Sequence, residues 1–154
     1  MARRVFFSFH FERDIWRVSQ VRQSWRSHPD RESAGFWDAA EWETVRRGGD
    51  RAIRRWIDEQ LHGTSVTVVL IGAETGSRDY VLHEVQRSIE LNKGLLGVRI
   101  HGLRDQDGQS DRPGPNPFQR LGVGAFTPVY DWVTDDGYSN LGDWVEAAAR
   151  QAGR

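Results

Sequence analysis

The stretch "SVTVVLIGAETGSRDYVLHEVQ", Ser65 to Gln86, limits what this chain can fold into more than any other. Ser65 to Ile71 is β-branched almost throughout. Such a run reads as a strand covered on both faces, since a half-exposed strand would alternate with polar residues. Gly72 breaks it, a small polar loop follows, and Val81, Val85 and Ile89 then recur every four residues as the stripe of an amphipathic helix. Ser77 is placed to cap that helix, which the spacing carries to Asn92 or Gly94. A doubly covered strand that passes directly into a helix is half of a βαβ unit, and that unit requires a parallel sheet.

The rest of the chain repeats the alternation. Val5, Phe6, Phe7 and Phe9 form a first buried strand, and Ile15, Val18, Arg22 and Trp25 then follow helical spacing, with Asp14 read as the cap. Pro29 lies beyond the end of this helix, and "DRESAGFWDAAEW" reads as a turn that passes into a helix. Gly48 and Gly49 interrupt it before Asp50 opens a helix with Ile53, Trp56, Ile57 and Leu61 on its apolar side, ended by Gly63. "LLGVRIH" reads as a third strand, Arg104 to Gly124 as a long loop, Phe126 to Tyr130 as a short last strand and Gly142 to Ala152 as a closing helix. These elements predict an α/β fold, a flavodoxin-like doubly wound parallel sheet, in a single domain over residues 1–154. In such sheets ligands bind beyond the carboxyl ends of the strands at the topological switch point, which brings forward "SFHFERD" and "GAETGSRDY".

Composition narrows the function classes. Hydrophobic residues at 38% and charged ones at 28% belong to an ordinary globular domain. Twenty-one basic against 22 acidic residues give a formal charge of −1, with no overall drive toward nucleic acid or an anionic membrane. No run approaches the roughly 18 apolar residues of a membrane span, and the N-terminal apolar run is too short and too soon interrupted for a signal peptide. The absence of cysteine excludes disulfides and thiolate metal sites and suits a cytoplasmic setting. The five histidines lack ligand spacing, so no metal and no resident cofactor are expected.

Glu84 is the candidate for chemistry. It shares a helix face with Tyr80 and stands about 100° from Val81 and Val85, at the margin of the stripe, where it is either a shielded carboxylate within reach of a ligand or a surface residue paired with Arg87 or Ser88. "GAETGS" is either a phosphate cradle or a plain turn. Ser8 opens the segment after the first strand, and Phe9 and His10 there could stack on a base or hydrogen-bond a ribose or phosphate. Trp16, Trp25 and Trp56 fall at or beside helix stripes and read as core, whereas Trp37 in "GFWD" is the better ligand contact.

Four ordered blocks, "RRVFFSFHFERD", "GFWDAAEWE", "GTSVTVVLIGAETGSRDYVLHEVQRSIE" and "KGLLGVRIHGLRD", resemble the TIR-like (Toll-interleukin receptor-like) domain of the Thoeris antiphage defence family, the ThsB-like proteins, over roughly residues 3 to 105. The resemblance implies a flavodoxin-like TIR fold and cleavage of the nicotinamide–ribose bond of NAD⁺, which is substrate rather than cofactor. It places the family's catalytic glutamate on Glu84, four residues after an aromatic, Tyr80, where related enzymes often have tryptophan. By the same resemblance Phe9 and His10 belong to the loop after the first strand and Gly72, Thr75 and Ser77 to the loop that borders the substrate pocket, while Asp38 falls in a recurrent block without an assigned role; Ser8, Trp37 and Tyr80 complete the expected substrate contacts. Self-association, a phage-derived trigger and a product that signals to a separate effector are further implications. The ordinary carboxylate pKa of about 4.3 would leave Glu84 ionised at neutral pH without any shift. A non-catalytic TIR assembly module and a nucleoside deoxyribosyltransferase-like enzyme are the alternatives, because the fold alone does not establish activity.

Overall fold

The computed structural model describes residues 3–33 and 39–154. Trp37 and Asp38 lie outside the described residues. The elements run β1 (Arg3–Ser8), α1 (Phe11–Arg26), β2 (Arg31–Ser33), α2 (Ala39–Arg47), α3 (Gly49–Leu61), β3 (Val66–Ile71), a 3₁₀ turn (Thr75–Ser77), α4 (Asp79–Glu90), β4 (Gly94–Arg99), α5 (Pro117–Arg120), β5 (Val129–Asp131) and α6 (Gly137–Gln151). The strands pair in the order β2-β1-β3-β4-β5, parallel throughout. The winding therefore reverses across β1 and β3, and their carboxyl ends flank the switch point.

The two-residue period of a strand sorts the core. Val5 and Phe7 of β1 join Val66, Val68 and Leu70 of β3 in one cluster with Val18, Val21 and Trp25 of α1 and with Leu141 and Val145 of α6. The alternate residues face the other way: Phe6 packs with Ile57 and Leu61 of α3, and Val69 and Ile71 with Val81 and Val85 of α4. By the same parity Ser8 and Thr67 point toward α4, where an apolar residue would be the default. No described helix is long and apolar enough to cross a membrane.

Several boundaries differ from the sequence reading. β2 lies inside the segment read as a turn: it is three residues at the sheet edge, without an apolar run, held by the indole N–H of Trp25 donating to the carbonyl of Glu32 at 2.8 Å. α1 starts before Asp14, capped by His10, whose Nδ1 accepts from the amide of Arg13 at 3.2 Å. Asp14 is instead a fully buried residue of the helix interior. Trp16, read as core, is 54% exposed, because the stripe of α1 runs through Val18, Val21 and Trp25 and turns that ring outward. Ser77 does not cap α4; its hydroxyl donates to the carbonyl of Glu74 at 2.9 Å and closes the 3₁₀ turn, leaving the α4 start at Arg78 without a side-chain cap. The last strand begins at Val129 rather than Phe126. The last helix begins at Gly137, capped by Asp136 in a left-handed conformation at φ 51°.

The long segment after β4 is a strap across the carboxyl edge. Arg17, 3% exposed, donates to the carbonyls of Leu103 and Gln109, each at 2.9 Å, and faces Asp14 at 3.6 Å and Asp111 at 3.8 Å. Arg13 grips Asp111 with two hydrogen bonds, at 2.9 and 3.0 Å, and Glu74 with a third at 2.6 Å. The backbone of the strap meets the loop after β3 so closely that a Cβ on Gly114 would lie 2.2 Å from the carbonyl oxygen of Gly72. Arg17→Ala would strip a buried carboxylate of its cation and the strap of its anchor. The expected loss is about 3 kcal/mol of stability, measured by urea denaturation.

Candidate active site

Glu84 and Ser8 meet between α4 and the end of β1. Glu84 is 2% exposed, the hydroxyl of Ser8 donates to its Oε2, and Ser8 is itself fully buried. The sequence placed Glu84 at the margin of the α4 stripe, but the structure draws it inside, alongside Val81, Val85 and Ser88. Neither suggested side-chain partner reaches its carboxylate. Arg87 bonds Asp58 and Glu90, and the Ser88 hydroxyl donates to the main-chain carbonyl of Glu84 at 2.7 Å. The Ser88 oxygen also lies 2.7 Å from Thr67 Oγ1. Since the Ser88 proton goes to the carbonyl, Thr67 is the donor to Ser88.

Burial sets the charge state. Removing a carboxylate from water disfavours its ionised form, and the single Ser8 hydrogen bond opposes this only in part, so the pKa of Glu84 is pushed up to about 8. The expectation of an unshifted carboxylate is thereby corrected: in this closed conformation Glu84 is mostly protonated at neutral pH.

The remaining candidates surround this pair in different roles. Phe9 is buried in the core near Phe11, with ring centroids 6.3 Å apart. His10 caps α1, and burial and the nearby Arg78 lower its pKa. Tyr80 lies one helical turn before Glu84, and its hydroxyl accepts from the amide of Phe11 at 3.3 Å, joining the first turns of α4 and α1. Gly72 has its amide engaged by Thr75 Oγ1 at 2.7 Å, and a Cβ there would meet Asp14 Oδ2 at 2.1 Å. The amides of Ser77 and Arg78 bond within the same loop, and Pro115 packs on Gly76. Three amides of "GAETGS" and its following residue, those of Gly72, Ser77 and Arg78, are thus spent within the turn in this conformation.

The sequence reading missed Asp14, which lies under that turn with Oδ1 unbonded and Oδ2 3.4 Å from the Thr75 hydroxyl. Burial pushes its pKa up to about 6 against the pull of Arg17. Its signal was an acid and a base three residues apart within the apolar repeat of α1. Among the described residues no three His, Asp or Glu side chains are grouped so as to hold a metal.

A groove of about 330 Å³ opens between α3 and α4, lined by Asp50, Ile53, Arg54, Asp79, Tyr80 and His83. Tyr80 is the one candidate residue on its wall. A larger depression of about 550 Å³ on α1, around Arg22 and Arg26, includes none of the cluster.

A profile of the family described as "Thoeris protein ThsB, TIR-like domain" matches residues 6–105, a span that holds the end of β1, all of β3 and α4 and the whole Glu84 cluster. The chain belongs to the ThsB TIR-like family. A relative from Bacillus cereus (strain MSX-D12), named "Putative cyclic ADP-D-ribose synthase ThsB1", is 34% identical over 191 aligned positions, covering 94% of this chain and all of the relative. The ThsB match ends at residue 105, within the first part of the strap, so Asp111 and Gly114 lie beyond it.

A buried acid has a stability cost that depends on pH. Between pH 4.5 and 8 the unfolded chain releases the Glu84 proton while the folded chain retains it, so unfolding becomes easier as pH rises through that window. Glu84→Gln cannot titrate. It is expected to melt near the wild-type temperature at pH 5 and higher at pH 8, by on the order of 3 kcal/mol or about 10 °C, in paired calorimetric scans.

Proposed function

We propose that this protein cleaves the nicotinamide–ribose bond of NAD⁺ and closes the remaining ADP-ribose into a cyclic nucleotide signal in bacterial antiphage defence, with Glu84 as the catalytic carboxylate. The observation that carries this reading is a carboxylate shielded from water at the switch point of the sheet, in a chain of the ThsB TIR-like family. The printed name of the B. cereus relative supports a cyclic product.

The chemistry suits one acid. Nicotinamide leaves from a cationic ring nitrogen and needs no proton, so the help must go to the oxocarbenium-like ribosyl cation left behind. An ionised carboxylate beside the ribose stabilises that cation most strongly where water is excluded. The substrate supplies the switch: its pyridinium charge, brought near Glu84, favours loss of the carboxyl proton and offsets the effect of burial. Exclusion of water also selects the product. With water kept from the anomeric carbon, a ring nitrogen of the same molecule's adenine can capture it and form the cyclic nucleotide.

Glu84 is 2% exposed and Tyr80, one helical turn before it, lines the groove between α3 and α4, so access of NAD⁺ to the carboxylate is read as requiring an opening beside Tyr80. We assign that opening to self-association or to a phage-derived trigger, and the reception of the product to a separate effector protein. The cytoplasm, which supplies NAD⁺, is the setting.

Mass spectrometry of NAD⁺ reactions tests the reading. Wild-type protein, assembled or triggered, should release nicotinamide and a product with the mass of cyclic ADP-ribose, and Glu84→Gln should lower the rate at least about 100-fold. Equal turnover by the folded variant would eliminate the assignment. The pH profile gives an independent check. Since the active form is the carboxylate, kcat/KM should rise with pH through an apparent pKa of about 8, while the kcat limb lies lower because bound substrate favours ionisation.

A further inference from the structure

We infer that Ser8 is a positioning residue for the proposed reaction: its hydroxyl, donated from the last residue of β1, holds the Glu84 carboxylate at the switch point and makes no contact with substrate. The inference rests on the proposed role of Glu84 and adds a residue to it. Ser8 was grouped with the substrate contacts on sequence grounds, yet it is fully buried and its donor is occupied.

Three observations carry the assignment. First, strand parity turns Ser8 toward α4, into a layer otherwise formed by Phe6, Val69 and Ile71 with Val81 and Val85. A hydroxyl there would be an isolated polar group unless it had a partner, and its partner is Glu84. Second, Glu84 is tied at both ends. Its main-chain carbonyl is linked through Ser88 to Thr67 of β3, and its carboxylate to Ser8 of β1. The residue therefore bridges the two strands that flank the switch point, and its side chain is directed to the end of β1. Third, Ser8 supplies the only hydrogen bond to this carboxylate among the described residues, so the hydroxyl favours the ionised form in a setting that otherwise opposes it.

The groups around Glu84 allow its titration to be read. β1 and β3 present uncharged hydroxyls, Ser8 and Thr67. On α4, Tyr80 is driven to a higher pKa by burial, with Arg78 and Glu12 nearby. His83, toward α3, faces Arg54 and Asp58 and is lowered by burial, as is His10 at the end of β1. A titration between pH 7 and 9 at this site therefore belongs to Glu84.

The test compares Ser8→Ala, which removes the hydroxyl and little volume, with Ser8→Thr, which restores it. In protein labelled with ¹³C-glutamate, the Glu84 carboxyl signal is identified by its loss in Glu84→Gln. Its midpoint should rise by about one pH unit in Ser8→Ala and return in Ser8→Thr, in step with the kcat/KM limb. At pH 7 kcat should fall about 10-fold in Ser8→Ala with KM nearly unchanged. A raised KM with unchanged kcat would make Ser8 a substrate contact and overturn the assignment, as would an unmoved midpoint and pH profile in an active protein. A wild type that never turns over NAD⁺, even when assembled or triggered, overturns the proposed function instead.

Discussion

The reversal of winding across β1 and β3 governs the rest of the molecule. β1 acquires a parallel neighbour on each side, and the chains that leave the two central strands depart to opposite faces, α1 to one and α4 to the other. A crevice at their carboxyl ends follows from that divergence, and every candidate in the Glu84 cluster lies along it. Ser8, His10, Gly72, Thr75 and Tyr80 are neighbours because of topology, although up to 72 positions separate them in the chain. Parity then decides which of them face α4 and which sink into the α1–α6 layer.

The buried acid shows a conflict between folding and function. An apolar residue at position 84 would suit the Val81–Val85 stripe better, and the carboxyl persists there by giving up its charge. The same dryness that keeps it neutral in the closed state would make its charge effective against a cation on the ribose. Asp14 shows a milder version of this balance, since it has Arg17 beside it and is shifted less. Such groups are expected at sites that trade stability for reactivity.

What the sequence disclosed depended on the length and polarity of each element. β3 and α4 were legible because six buried strand residues and a four-residue stripe leave little choice, and the ThsB resemblance covered nearly the span that the family profile matches. β2 was hidden because its three residues owe their conformation to the Trp25 indole and a neighbouring strand, with no local preference of their own. Asp14 was misread as a cap because an acid near a helix start usually is one, and only its tertiary neighbours Gly72 and Thr75 show that it lies inside. The full burial of Glu84 depends on where α4 lands across β1, information that a helical wheel does not contain. The strap was least legible, since loops fixed by long-range arginine contacts carry no periodicity.

The bond from the Phe11 amide to the Tyr80 hydroxyl joins the leading ends of two helices that otherwise belong to different layers. That tie adds a small cost, on the order of 1 kcal/mol, to any motion that splays α1 from α4. A crevice that widened would give up this bond, and one phenolic oxygen thus registers how far the two helix starts stand apart.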